Sequence, residues 1–249
     1  MICIWCKSDF PKLSKEHIIP EALGCPDEFI LSDVACERCN NKLGTTVDVA
    51  LIKQFEVQKF LLGIAGKRGK RPTVKSWAAL NGCYEEGSPV LEINAGPNSV
   101  ESSGKRLPAA GKGNGIYDAW VKPEEGRYGF KQEFGNAPLF LPALYKIGLN
   151  AIGYYLGTEV AASAAYDHVR SFVLRQTGAK PLTVAMEAPE NHPIVCRVSG
   201  PIMKAGRSYP MFQVVIFGIY FLLDMDPDQR SLRDLRGAAT MTDTPFFVF

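Results

Sequence analysis

Hydrophobic residues recur at helical spacing in three segments of the chain. Residues 138–156 predict the strongest helix, whose apolar face would consist of Leu141, Leu144, Ile147, Ala151, Ile152 and Tyr155. A second helix is predicted over residues 159–176. An earlier one is expected to begin at Thr45, with Thr45 or Thr46 as its capping residue, and to end near residues 63–66. The opposite face of the strongest helix carries Lys146, Asn150 and Tyr154. It is expected to be solvated, with contact to nucleic acid as the alternative.

Short stretches enriched in β-branched and aromatic residues predict strands in much of the remaining chain. They cover residues 71–77, 90–95, 116–122, 127–134, 182–186, 193–198 and 213–224, with a closing strand at 245–249. Residues 96–114 are predicted to form a long loop. The balance of helices and strands predicts an α+β fold with two parts. We call residues 1–62, which are turn-rich and contain paired cysteines, the head, and residues 63–249, which are larger and mixed, the body.

The amino-acid composition indicates the class of protein but says little about its function. Hydrophobic content of 46% and charged content of 22% are ordinary for a soluble globular protein, and the longest apolar run, residues 214–223, is too short to span a bilayer. A net charge of +2 gives no strong electrostatic argument for nucleic acid, although residues 49–75 form a locally basic stretch. Seven cysteines are too sparse for a secreted disulfide framework, and no signal peptide opens the sequence. We therefore expect a cytoplasmic protein without a membrane partner.

Two Cys-x-x-Cys pairs frame the head. Cys3 and Cys6 form the first pair, and Cys36 and Cys39 form the second. Each pair places two sulfurs on one tight turn, and four thiolates together make a closed tetrahedral site, so a structural Zn2+ is predicted. A redox-active pair is the alternative, but it needs a preceding strand, for which Cys3 leaves no room.

An acidic residue and a histidine, Glu16 and His17, lie between the two pairs, and Asn40 directly follows the second. Ile18, Ile19 and Pro20 follow the histidine, as in a short strand. Neighbouring side chains of a strand face opposite sides, so Glu16 and His17 would both border a site only if the strand bends or ends there.

This order of motifs resembles the HNH endonuclease superfamily, the ββα-metal nucleases. The similarity is strongest to the bacterial group that carries Glu-His-Ile-Ile-Pro and Ala-Leu-Gly between the cysteine pairs, as in residues 16–24 here. It covers roughly residues 1–62, and nothing comparable extends into the body. The sequence departs from the family pattern at Cys25, where glycine is usual. It also has no clear counterpart of the family's middle asparagine between Asp27 and Ala35.

The resemblance implies a role for each of these residues. Cys3, Cys6, Cys36 and Cys39 match the structural zinc ligands. His17 matches the general base that activates a water molecule, while Glu16 and Asn40 match the ligands of a catalytic divalent cation, Mg2+ or Mn2+. Asn41 is the alternative to Asn40. Independently of the family, histidine titrates near neutral pH, and hard cations favour oxygen ligands.

The function expected from the sequence is therefore metal-dependent hydrolysis of DNA phosphodiester bonds, with restriction or phage defence as its setting. RNA is the alternative substrate, and a homodimer would suit cleavage of both strands. The body would recognise or position the substrate. The rival interpretation is a zinc-containing DNA-binding module without catalysis, in which Glu16 and His17 are structural.

Overall fold

The computed structural model of the protein describes residues 1–65, 69, 71–77, 80–85, 88–93, 100–101, 104–106, 116–122, 127–132, 138–177, 183–187, 195–204, 207–226, 228, 230–231 and 246–248. Helices and antiparallel sheets are both present, and four cysteines cluster near the N-terminus, which confirms the α+β class. Contacts divide the chain into two compact units. Unit 1 comprises Met1–Val49 and Leu141–Phe249, and unit 2 comprises Ala50–Phe140. The boundary between head and body at residue 62 stays a prediction.

Unit 1 begins with two antiparallel strands followed by a helix. Strand β1 (Ser14–His17) pairs with β2 (Ile30–Ala35), and a register shift lies between Ser14 and Glu16. Two short 3-10 helices, Glu21–Leu23 and Asp27–Phe29, occupy the connection. Helix α1 (Glu37–Thr45) starts directly after Cys36, whose thiol accepts a hydrogen bond from the backbone N–H of Cys39 and so caps the helix.

The helix expected to begin at Thr45 is two helices, α2 (Val47–Gln54) and α3 (Glu56–Leu61). The predicted start is wrong in one respect, because Thr45 and Thr46 do not cap a following helix. Their hydroxyls donate instead to carbonyls of α1, from Thr45 to Asn41 and from Thr46 to Lys42. The prediction missed α1 because the cysteines and asparagines of residues 36–41 do not follow an apolar period.

Unit 2 contains two antiparallel sheets. The first joins β3 (Val74–Trp77), β4 (Leu80–Glu85) and β5 (Ser88–Ile93) in sequence order. The second joins β6 (Val100–Glu101), β7 (Gly104–Arg106), β8 (Ile116–Lys122) and β9 (Arg127–Gln132) in sequence order. The predicted long loop over residues 96–114 therefore contains β6 and β7, and the rest of it lies outside the described residues. Strand β4 was not predicted, whereas β8 has its predicted bounds.

Three helices follow, and the first is the strongest predicted one. Helix α4 (Phe140–Leu156) confirms the helix expected over residues 138–156, and all of its residues from Phe140 to Gly153 are buried. The helix expected over residues 159–176 is broken into α5 (Thr158–Ala162), a 3-10 turn and α6 (Asp167–Arg175). The break has a physical cause, because the buried Arg170 guanidinium binds the carbonyls of Ala161, Ala162 and Ser163.

The C-terminal part of unit 1 is a five-stranded antiparallel sheet with strand order β11-β14-β15-β10-β16. Its strands are β10 (Thr183–Glu187), β11 (Cys196–Ser199), β14 (Met211–Ile216), β15 (Ile219–Asp224) and β16 (Phe246–Val248). A separate hairpin joins β12 (Ile202–Lys204) to β13 (Arg207–Tyr209).

The single strand predicted over residues 213–224 is a β-hairpin. Phe217 and Gly218 both have positive φ, 47° and 82°, and make a two-residue turn of the type that suits twisted strands. The run is apolar on both sides of the turn, so little in the sequence indicates a turn there. No helix in the described part of the chain is long and apolar enough to cross a membrane.

Candidate functional site

The four predicted zinc ligands lie together in unit 1. The sulfurs of Cys3, Cys6, Cys36 and Cys39 are all within 4.8 Å of one another. Those of Cys6 and Cys36 are 3.9 Å apart. A tetrahedral zinc with Zn–S bonds of about 2.3 Å places its sulfurs about 3.8 Å apart, so the cluster fits a structural zinc ion.

Backbone N–H groups donate to two of the sulfurs, and the thiol pKa values shift in different directions at different cysteines. The N–H of Cys36 donates to Cys3 Sγ at 3.2 Å, and the N–H of Cys39 donates to Cys36 Sγ at 3.4 Å. Burial opposes ionisation of Cys6, but hydrogen bonds from Ser8 outweigh it and lower the pKa of Cys6 to about 7. Burial raises the pKa of Cys3. Four sulfur ligands leave no open position on the metal, so the chemistry of the site is structural rather than catalytic.

Glu16 and His17 end strand β1 and differ in exposure. Glu16 pairs with Leu31 and His17 with Ile30 across the strand pair. Glu16 is 4% exposed, whereas His17 is partly exposed and its imidazole makes no hydrogen bond within the described residues. Neighbouring side chains of a strand face opposite sides, which agrees with the difference in exposure between Glu16 and His17. The histidine is open to a reacting partner, and the carboxylate faces the interior.

A buried lysine holds the Glu16 carboxylate. Lys146 Nζ, on α4, lies 2.5 Å from Glu16 Oε1 and 2.8 Å and 2.9 Å from the two carboxylate oxygens of Asp48. Lys146 is only 1% exposed. We call Glu16, Asp48 and Lys146 the buried ion cluster.

The buried ion cluster holds protons tightly. Burial by itself would lower the pKa of Lys146, but the attraction of Asp48 and Glu16 outweighs it and raises that pKa. Burial also raises the pKa of Glu16, against the opposing charge of Lys146. The two directions are compatible, because one cation and two carboxylates carry a net negative charge. Lys146 is therefore an ammonium at neutral pH.

The solvated face predicted for α4 is wrong at two of its three residues. Lys146 and Asn150 are 1% and 0% exposed, and only Tyr154 is exposed. The Asn150 side-chain Nδ2 donates to the backbone carbonyl of His17 at 3.3 Å. A spacing of four residues on a helix identifies a common face but cannot tell a solvated face from a buried polar one.

Asn40 lies on α1 and reaches back to β1. Its Nδ2 donates to Ser14 Oγ at 3.0 Å and to the Lys15 carbonyl at 2.9 Å. The amide oxygen makes no hydrogen bond within the described part of the chain, so it is available to a ligand. Asn40 is thus tied to the strand that carries Glu16 and His17. Asn41 lies within α1 rather than at a helix entry.

The candidate cation ligands have donor atoms without protein partners. Glu16 Oε2 is buried and has no hydrogen-bond partner among the described residues, although Oε1 is held by Lys146. Carboxylate and amide oxygens are the donors that Mg2+ and Mn2+ prefer, so the residues present fit such an ion chemically.

One comparison with known proteins bears on this site. Residues 3–56 match the family model described as HNH endonuclease. The match includes β1, β2 and α1 and all of the residues predicted from the sequence for the two metal sites, which are Cys3, Cys6, Cys36, Cys39, Glu16, His17 and Asn40. Neither curated proteins nor solved structures gave a match to the chain. Residues 3–56 are therefore similar to an HNH endonuclease domain, a similarity that suggests a nuclease-like function.

Sequence reasoning found the HNH residues but missed their supporting partners in α4 and the part played by Asp48. Lys146 contacts Glu16 across 130 positions of sequence, and Asn150 contacts His17 across 133. The sign of these partners in the sequence is that Lys146 and Asn150 are polar residues within a largely apolar helix.

Proposed function

We propose that this protein is a metal-dependent HNH endonuclease that hydrolyses DNA phosphodiester bonds, with His17 as general base and a divalent cation on Glu16 and Asn40. One observation carries the proposal: the region that matches the HNH family has a strand–strand–helix order in which Asn40 is hydrogen-bonded to the strand that ends at His17. We propose DNA rather than RNA as the substrate on the resemblance of residues 1–62 to the HNH endonucleases.

His17 suits the removal of a proton from water. It is partly exposed, its imidazole is not engaged by a described side chain, and imidazole is the side chain that most often acts as a general base. Asn150 and the pairing of β1 with β2 hold its backbone, so the imidazole has a fixed attachment point.

A divalent cation would be held by Glu16 Oε2 and the amide oxygen of Asn40. When bound, it would stabilise charge on the phosphate and on the leaving oxygen. The Nδ2 of Asn40 is already committed to Ser14 and Lys15, which directs the amide oxygen away from those two partners.

A plasmid-nicking assay with Mg2+ or Mn2+ tests the general base. We expect His17→Ala to lower cleavage by about 10²–10⁴-fold, because a positioned general base contributes on that order. Melting temperature and zinc content should stay unchanged, since the imidazole makes no described hydrogen bond. His168→Gln is the matched control, because His168 is a histidine of unit 1 outside the site, with its Nδ1 at the Ala165 carbonyl. Full activity of His17→Ala would rule out the role.

A pair of variants separates cation binding from the buried ion cluster. Glu16→Gln and Asp48→Asn each remove one carboxylate charge from Lys146, but only Glu16 is a proposed cation ligand. We expect Glu16→Gln to raise the Mg2+ concentration needed for half-maximal cleavage by about tenfold or more, and Asp48→Asn to leave it nearly unchanged. Equal shifts in both variants would mean that Glu16 acts only through Lys146.

We place the activity in restriction or phage defence. Cells that express the wild-type chain should then reduce phage plating, and cells that express His17→Ala should not. Equal plating on both would remove this setting without affecting the nuclease proposal.

A second candidate function is a zinc-containing DNA-binding module without catalysis. The observation that favours it is the neutralisation of Glu16 by Lys146, which weakens the pull of that carboxylate on a metal ion. Retarded migration of DNA in a gel, without metal-dependent cleavage of DNA or RNA, would support the module over the nuclease.

A further inference from the structure

We infer that Asn150, on a helix outside the HNH match, is a positioning residue for His17. The inference rests on the proposed function of His17 as general base. Asn150 lies beyond the matched residues 3–56. It would act through the His17 backbone and not through contact with substrate.

The surroundings of Asn150 show that its amide is not there for packing. Helix α4 is buried throughout Phe140–Gly153, and Asn150 is 0% exposed. Burying an amide costs free energy unless it is hydrogen-bonded, and an apolar side chain would fill the same space without that cost. Its described hydrogen bond goes from Nδ2 to the His17 carbonyl, while its Oδ1 has no partner among the described residues. Burial of this amide therefore costs free energy, and the one hydrogen bond that offsets this cost among the described residues is the bond to the His17 carbonyl.

That contact lies near the end of the strand pair. His17 is the last residue of β1, and after one further backbone bond, from the N–H of Ile18 to the Phe29 carbonyl, the chain leaves the strand pair for a 3-10 turn. A carbonyl at the end of a strand needs a partner from elsewhere. The bond to Asn150 holds the carbonyl side of the peptide group after His17, while the N–H of Ile18 on the other side is held by the Phe29 carbonyl. The Asn150 bond thereby helps to set the direction in which the imidazole leaves the backbone.

A neighbouring contact places the same helix face against the residue before His17. Lys146, one helical turn before Asn150, holds the Glu16 carboxylate. Two consecutive residues of β1 are therefore held by two polar residues four positions apart on α4. The orientation of the HNH strand depends on a segment that the family match does not include.

Cleavage kinetics on the full-length chain test the inference. We expect Asn150→Leu, which keeps the branched shape of the side chain and removes the donor, to lower kcat by about tenfold to a hundredfold with KM for DNA unchanged, because a small misplacement of a catalytic group costs on this order. Asn150→Gln, which keeps a donor, should recover part of kcat. Ile152→Val is the control for general loosening of α4, since Ile152 is buried on the same helix two positions away, and it should leave both constants unchanged. A wild-type kcat in folded Asn150→Leu would overturn the inference, as would a change in KM alone.

A second readout keeps this test separate from the nuclease proposal. The chain has three histidines, so the imidazole signal of His17 can be assigned in an NMR spectrum by its loss in His17→Ala. We expect Asn150→Leu to shift or broaden that signal while the His168 signal stays in place, whether or not the wild type cleaves DNA. If the wild type is inactive but the His17 signal moves, only the nuclease proposal fails. An unmoved His17 signal overturns the inference. If Asn150→Leu does not fold, Asn150→Ala, which also removes the donor, takes its place with the same outcomes.

Discussion

Lys146 is the residue on which the buried part of the candidate site depends most. Its ammonium is 1% exposed and lies within 3 Å of carboxylate oxygens from both Glu16 and Asp48. A buried ion pair contributes little net stability compared with apolar residues of the same size, but removing one partner leaves an uncompensated charge. Loss of Lys146 should therefore lower the free energy of unfolding, even though the intact ion cluster adds little net stability.

Replacement of Lys146 by methionine should lower the free energy of unfolding by about 3–5 kcal/mol, because the buried Glu16 carboxylate would lose its cation. The double variant Lys146→Met with Glu16→Gln should recover part of that loss, since it removes the Glu16 charge while the Asp48 carboxylate stays without its cation. Urea denaturation of the wild type and the three variants gives the coupling free energy. A loss of less than 1 kcal/mol in Lys146→Met would contradict the interpretation of the cluster.

The raised pKa of Glu16 gives a pH dependence of known sign. The native state holds a proton at Glu16 more tightly than the unfolded chain, whose carboxyl titrates near 4.5. This contribution to stability is complete below that pH and is lost as the pH rises through the native pKa. We expect the wild type to lose stability relative to Glu16→Gln as the pH rises from about 4.5, until the native carboxyl is ionised. Urea denaturation at several pH values measures the difference, and a difference independent of pH would contradict the shift.

At the scale of elements, helices and strands with a regular hydrophobic period could be predicted from the sequence. Features that depend on contacts between distant residues could not. Helix α4 and strand β8 were predicted because their periods are regular over many residues. The helix expected over residues 159–176 was predicted as one piece, since nothing local shows that Arg170 would take up the carbonyls at its break. In the site, the cysteines and the Glu16–His17 pair were visible as motifs. Their partners in α4 lie more than 100 positions away and carry no motif.

Arg170 accounts for the break between α5 and α6 and can be tested there. Its guanidinium binds the carbonyls of Ile4, Ala161, Ala162 and Ser163 and the Asp167 carboxylate. Replacement by methionine would leave buried carbonyls unpaired, so we expect the free energy of unfolding to fall on the order of 3–5 kcal/mol. Lysine should rescue little, because it lacks the planar fork of donors.

Arg175→Met is the control for Arg170→Met, since Arg175 is an exposed arginine of the same helix. It should change the free energy of unfolding by about 0.5 kcal/mol or less. Thermal or urea denaturation of both variants decides between the two arginines. Similar losses in both would mean that the buried network of Arg170 is not what stabilises the break.

At the scale of the whole molecule, the zinc cluster and the C-terminal segment belong to one compact unit. Unit 1 joins Met1–Val49 to Leu141–Phe249, so the first 49 residues share their core with the last 109. The contact from Arg170 to the Ile4 carbonyl, directly after the zinc ligand Cys3, is one such link. Loss of the metal should therefore affect more than the HNH region.

Cys36→Ser tests this dependence, and Cys25→Ser is its control. Cys36 belongs to the four-sulfur cluster, whereas Cys25 is a partly buried thiol outside it. Structural zinc contributes about 10–16 kcal/mol in small zinc-binding peptides, which is as large as the whole stability of a typical domain. We expect Cys36→Ser to lose its bound zinc and to unfold unit 1, which circular dichroism and hydrogen exchange at α4 would detect.

Cys25→Ser should keep one zinc per chain and the wild-type melting curve. An unchanged melting curve and zinc content in Cys36→Ser would refute the structural role. Zinc loss with protected α4 amides would confine that role to the first 49 residues.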